Sequence, residues 1–235
     1  RELTRPARPL PPADAFSTHT VLPTRLNDGD RAAERRDLVS ALRRRLDASE
    51  RTLSAIGAVP RHESVPETHR ESAYADRPLP IGHDQTISAP HMVAVMTDLL
   101  DVERGDRVLE VGTGCGYHAA VVAEVVGPGN VFSAERLPDL ATAARDRLDR
   151  LGYDVTVAAA DGREAFADEA PFDAAYLTCA APEAVPDAIV DRVRPGGHVV
   201  APVADGGRQR LVRLAVREDG VDREDHGGVR FVPMR

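Results

Sequence analysis

The sequence predicts an α/β fold: a doubly wound, mostly parallel sheet with antiparallel strands at its C-terminal end and a helical segment on its N-terminal side. Three observations lead there. Residues 107–117 (RVLEVGTGCGY) run from a short apolar strand into a turn with glycine at three alternate positions, and residues 117–123 continue with helical composition. That is the strand, tight turn and helix of a nucleotide-binding crossover. Downstream, strand-like and helix-like stretches alternate, which implies parallel pairing. The last three apolar stretches have no helix between them, which implies an antiparallel finish.

Composition sets the bounds. At 235 residues and 42% hydrophobic the chain can bury a sizeable core. Aromatics are only 4% with no Trp, so Ala, Val and Leu must do the packing. All 30 basic residues are arginine, against 38 acidic ones, and the net charge of -8 argues against a general nucleic-acid binder. No stretch approaches the roughly 18 apolar residues of a membrane span, and the Arg- and Pro-rich start lacks the apolar run of a signal peptide. A cytoplasmic protein without membrane or nucleic-acid partners is expected; the oligomeric state is open, with a monomer favoured. Cys115 and Cys179 are isolated and read as small buried thiols. The eight histidines show no zinc-type spacing, so no metal is expected.

In chain order, residues 1–30 hold five prolines and no sustained period, as in a flexible arm. Leu38, Leu42 and Leu46 recur every four residues, which predicts an amphipathic helix over 31–47. A second helix is expected over 48–58, ending before Val59-Pro60. Residues 60–85 read as a long irregular segment, which at that length is usually functional. Ser88 stands where an N-cap belongs, with Pro90 in the first turn of a helix whose apolar face is Met92, Val95, Met96, Leu99 and Leu100. Beyond the glycine turn, strands are expected at 130–134, 154–158, 172–177, 198–203, 210–217 and 229–232, with helices at 137–151 and 184–193. The organisation is an arm (1–30), N-terminal helices with a substrate-capping segment (31–90) and a core (91–235).

The residues also indicate what the turn holds. A dinucleotide turn places its third glycine one position later than here, where Tyr117 stands. Glu110, just before the turn, would repel a pyrophosphate but suits an ammonium or a sulfonium. S-adenosylmethionine (SAM) has both and no phosphate. The second strand ends at Glu135, placed to accept two ribose hydroxyls, and the third leads to Asp161, placed to accept from an adenine amino group. Other readings stay open: a strand-end charge for Glu110, an Arg136 partner for Glu135, a turn residue at Asp161, and capping chemistry for Thr86 and Ser88. His83 and His91 read as structural.

The stretches AVPRH (58–62), AYADRPLPIGH (73–83), QTISAP (85–90), VLEVGTGCGY (108–117), Glu135-Arg136, Asp161-Gly162, APFD (170–173) and VRFVPM (229–234) closely resemble the protein-L-isoaspartate O-methyltransferase family, from about residue 35 onward. The resemblance implies a Rossmann-like SAM methyltransferase core. It implies Ser88 as the active-site hydroxyl, with Ile81, Gly82, Thr86 and Val232 at the acceptor, and Glu110, Gly112, Gly114, Gly116, Glu135, Asp161 and Gly162 around SAM. The implied activity is methylation of the free carboxylate of isoaspartyl residues in damaged proteins and peptides, with S-adenosyl-L-homocysteine as coproduct. A carboxylate is already ionised at neutral pH, so no strong base is required. The chain departs from the family's pattern at Asp84 and Ala160, where glycine is usual, and at Ser64, where an aromatic is usual; a further usual glycine is missing around 163–166. A different acceptor, a SAM-binding module without turnover, and a nicotinamide dehydrogenase are the competing readings.

Overall fold

The computed structural model describes residues 31–235; the arm at 1–30 lies outside the described residues. Two helices come first. α1 (Ala32–Arg45) buries Leu38 and Leu42, one turn apart, and carries Arg43, Arg44 and Arg45 in its last turn, where the helix dipole favours cations. α2 (Glu50–Ala58) is capped by the Ser49 side chain, which accepts from Thr52 N–H and donates to Asp98. The segment expected to be irregular has two 3-10 turns, at 61–64 and 67–72, and then a small antiparallel hairpin, β1 (Leu79–Gly82) and β2 (Gln85–Ile87).

α3 (Pro90–Leu100) has Ala89 as its N-cap and no side-chain cap, so Ser88 does not cap it. Pro90 at the first helical position needs no capped N–H, which leaves the Ser88 hydroxyl free for other work. Val93, Met96 and Leu100 form the buried face, with Met92, Val95 and Leu99 at its margin.

The seven-stranded sheet runs β5-β4-β3-β6-β7-β8-β9. β3 (Val108–Val111), β4 (Val131–Glu135), β5 (Val155–Ala159) and β6 (Phe172–Leu177) are parallel, as is the pairing of β6 with β7 (Val193–Asp205). β8 (Arg208–Arg217) and β9 (Gly220–Val229) extend the sheet antiparallel. α4 (Tyr117–Val126) and α5 (Pro138–Leu151) follow β3 and β4. One apolar cluster joins Leu38, Leu53 and Val93 to Tyr117 and Tyr176, so the N-terminal helices share the core of the sheet; a second holds Leu109, Phe172, Ile189 and Val212.

Two expected elements differ. The helix expected at 184–193 is only α6 (Asp187–Val190), because Pro186 stands at its N-cap and the chain then enters β7. Residues 194–197 bulge out of that strand, since Phe172 pairs with Val193 and Ala174 with His198. The strand expected at 229–232 ends at Val229. The following residues cross to β6's exit, where Ala180 N–H donates to Val232 and Met234 N–H to Ala180, at 2.8 Å each. Among the described residues no helix is long and apolar enough to cross a membrane.

Candidate active site

Strand order reverses around β3, with β4 on one side and β6 on the other, and a cavity opens there at the strands' carboxyl ends. This is where open α/β sheets bind ligands. Its floor is the glycine turn. Gly112 has φ +101, and a Cβ on it would strike the Thr178 hydroxyl, which donates to the Gly112 carbonyl. Glycine is required there on both counts. Gly114 N–H donates to one Glu135 oxygen and Leu137 N–H to the other, each at 2.9 Å. Both oxygens are thereby oriented, with lone pairs left to accept from a ligand; an Arg136 pairing is not what holds this carboxylate.

Asp161 lines the same cavity. It is a turn residue and an ion-pair partner at once: Arg163 donates from its N–H at 2.9 Å and from its guanidinium at 2.5 Å. Those bonds hold the Asp161 carboxyl down to about 2, so it acts as an acceptor at any ordinary pH. Gly162 lies flat on Val111, whose Cγ2 would be 2.8 Å from an added Cβ. Ser88, Thr86, Ile81 and Val232 also line the cavity, brought in by the hairpin segment and the C-terminal crossing.

Three predicted residues fall outside the lining. Gly82 sits on β1 at the hairpin turn, followed by His83 and Asp84, both with positive φ. Gly116 caps α4 and backs onto α5, where an added Cβ would be 3.1 Å from Leu148 Cδ1. Glu110 is fully buried beneath the turn. The Ser133 hydroxyl donates to its Oε2, and Tyr176 of β6 lies beside it. Burial, opposed by the Ser133 and Tyr176 hydroxyls, raises its pKa to about 8. Glu110 reaches the cavity only through a chain: Ser133 also bonds Thr113, a lining residue, at 2.5 Å.

Sequence reasoning missed several lining groups. His118, second residue of α4, bonds Thr97 at 3.2 Å and stacks on Tyr176 at 4.5 Å. Burial pushes it down to about 3, so it is a neutral imidazole. Cys115 is buried as expected, but Cys179 is only half-buried and lines the cavity; desolvation raises its thiol to about 12, which leaves no thiolate nucleophile. Gln85, Thr178, Arg136 and Arg235 complete the wall. Short polar residues in loops carry no periodic signal, and only the fold brings these together. His91 is held by Asp76 at 2.8 Å, as a structural residue would be. Among the described residues no cluster of three or more His, Cys, Asp or Glu is arranged to hold a metal ion.

The sheet order, the glycine cradle and the strand-end carboxylates define a Rossmann-like fold of the SAM-dependent methyltransferase type. Residues 33–235 match the family model described as protein-L-isoaspartate(D-aspartate) O-methyltransferase. The chain belongs to that family. It is 49% identical over 210 residues to protein-L-isoaspartate O-methyltransferase 2 of Archaeoglobus fulgidus, covering 88% of this chain and 94% of the relative. It is 52% identical over 190 residues to the Methanopyrus kandleri enzyme of the same name, covering 79% and 84%. A solved protein-L-isoaspartate O-methyltransferase superposes with a TM-score of 0.79 at 25% identity, over 85% of this chain and 65% of that one. A Plasmodium falciparum structure, described as a putative member in complex with S-adenosyl-L-homocysteine, shares the fold at 24% identity and a TM-score of 0.74, over 86% and 98%.

Proposed function

We propose that the protein transfers a methyl group from SAM to the free carboxylate of L-isoaspartyl residues in proteins and peptides. The observation that carries this is a single cavity lined by two sets of residues. Gly112, Gly114, Glu135, Asp161 and Gly162 come from the strand ends and the turns after them, and Ile81, Thr86, Ser88 and Val232 from the hairpin segment and the C-terminal crossing. The first set suits SAM. An added Cβ on Gly112 or Gly162 would collide with Thr178 or Val111, so only glycine lets the chain pack closely against these neighbours and keep the cavity's shape. Glu135 supplies acceptors for a ribose diol and Asp161 an acceptor for an amino group. When bound, SAM supplies the methyl group, carried on its sulfonium sulfur.

The residues of the chain do the rest by placement. Ser88, uncommitted to capping, and Thr86 donate hydrogen bonds to the acceptor carboxylate and turn one oxygen toward the methyl carbon. No general base takes part: the acceptor is already ionised, His118 is neutral and bonded to Thr97, and the Cys179 thiol stays protonated. The hairpin and the residues around Val232 keep water from the reacting atoms. Positioning of this kind is worth effective molarities of roughly 10⁵–10⁸ M. Two unpaired thiols suit a reducing compartment, and we take the cytoplasm as the site of action.

Incubation with labelled SAM and matched peptides containing isoaspartate or aspartate at one position tests the reading. Label on the isoaspartyl peptide alone is expected, and equal label on both, or on neither, overturns it. Asp84, exposed at the hairpin tip, favours a second reading in which a different acceptor is used. That reading predicts SAM binding with label only on other acceptors.

A further inference from the structure

Arg192, between α6 and β7, belongs to none of the motifs above, yet its guanidinium reaches the loop that carries Asp161. Nη1 donates to the Ala165 carbonyl at 2.5 Å and the Gly162 carbonyl at 3.3 Å, and Nη2 donates to the Arg163 carbonyl at 2.5 Å. Among the described residues it has no carboxylate within ion-pair distance, so its charge is balanced by backbone dipoles. Arg192 is itself fixed, since its carbonyl accepts from Phe172 N–H at 2.7 Å at the start of β6. A planar fork with several fixed donors is what lets one side chain gather three carbonyls; a lysine ammonium lacks that geometry.

Arg192 therefore determines the shape of residues 161–165 from outside the cavity. With three carbonyls turned toward it, the loop's amides turn inward: Glu164 and Ala165 N–H donate to the Asp161 carbonyl at 3.0 and 2.9 Å, and Arg163 N–H to the Asp161 carboxylate. The carboxylate, held also by the Arg163 guanidinium at 2.5 Å, lines the cavity as a pure acceptor. An acceptor facing an exocyclic amino group gains a hydrogen bond; facing an exocyclic oxygen it meets a second acceptor, and the contact turns repulsive.

We propose that Arg192 is the positioning residue for base selection: by holding the 161–165 loop it makes Asp161 read a 6-amino purine and reject a 6-oxo purine. The proposal rests on the reading that the cavity holds SAM with its adenine at Asp161, and the test separates the two.

Calorimetric titration with S-adenosyl-L-homocysteine and with its deaminated analogue S-inosyl-L-homocysteine measures the selection without turnover. Wild type, Arg192→Met, Arg192→Gln and Arg192→Lys are compared, with the melting temperature of each. Wild type is expected to prefer the adenosyl ligand by about tenfold or more, the scale of one hydrogen bond to a charged group. In Arg192→Met and Arg192→Gln the preference is expected to fall below about threefold, with Arg192→Lys intermediate. A folded Arg192→Met or Arg192→Gln variant that keeps the wild-type ratio overturns the proposal, including one with only a lowered melting temperature. Should Arg192→Met not fold, Arg192→Gln decides. Wild type that binds both ligands equally removes Asp161's role and the proposal with it. Wild type that binds neither overturns the cofactor reading itself.

Discussion

Replacing Glu110 with Gln changes one buried titration and little else. In the folded protein burial raises this carboxyl to about 8, against 4.5 for an ordinary glutamate. The folded state therefore holds a proton that the unfolded state has released. Stability from this group is full below about pH 4.5 and is lost as pH rises to about 8, at about 1.4 kcal/mol per pH unit. The whole loss is at most about 5 kcal/mol. His118 works in the opposite sense: with its pKa lowered to about 3 by burial, it removes stability as pH falls below about 6.5. Between pH 6.5 and 8 the Glu110 contribution stands clear of it. Glu110→Gln cannot ionise, so over that interval it should gain about 2 kcal/mol relative to wild type, or about 4–8 °C in Tm for a domain of this size. Thermal and urea denaturation of the ligand-free protein at constant ionic strength measures the difference directly. A difference between variant and wild type that stays flat from pH 6.5 to 8 refutes the buried, protonated carboxyl.

Other substitutions test other parts of the site. Ser88→Ala removes a hydroxyl that caps no helix; kcat/KM for an isoaspartyl peptide should fall about 10- to 100-fold, with affinity for S-adenosyl-L-homocysteine within about twofold of wild type by calorimetry. Glu135→Gln leaves either Gly114 or Leu137 N–H facing an amide nitrogen; S-adenosyl-L-homocysteine should bind about 10- to 150-fold more weakly, for a loss of about 1.5–3 kcal/mol. Gly162→Ala drives a methyl into Val111, a β-branched side chain with few alternative rotamers; a loss of about 1–3 kcal/mol in urea unfolding is expected.

The parts of the fold that could be read from the sequence are those where burial leaves a compositional mark. β6 runs from Phe172 to Leu177, as its apolar run, interrupted only by the half-buried Asp173, predicts for a strand covered on both faces. β9 is different. Residues 220–226 are Gly-Val-Asp-Arg-Glu-Asp-His, a charged edge strand whose identity comes from pairing with β8 rather than from its own pattern. The hairpin at 79–87 was hidden for a related reason, being four and three residues per strand with a proline in the first. Site residues followed the same division. Gly112, Glu135 and Asp161 were legible because a strand end fixes where they project. Arg192 was not, because its partners are carbonyls, which every residue has.

Glu110 shows why correct residue identities do not yield a correct site. Along β3 successive side chains point to opposite faces. Leu109 and Val111 join one cluster and Val108 the other, so Glu110 shares the face of Val108, beneath α3 and α4. The register then places Ser133 of β4 and Tyr176 of β6 directly beside it, and neither pairing can be inferred from residues 107–117 alone. Buried there, the carboxyl does not line the crevice. It can act on the crevice through the turn, because Ser133 bonds both Glu110 and Thr113, and Thr113 stands in the cavity floor. The carboxyl read as part of the cradle thus stands under it, joined to the cavity floor by two hydroxyls.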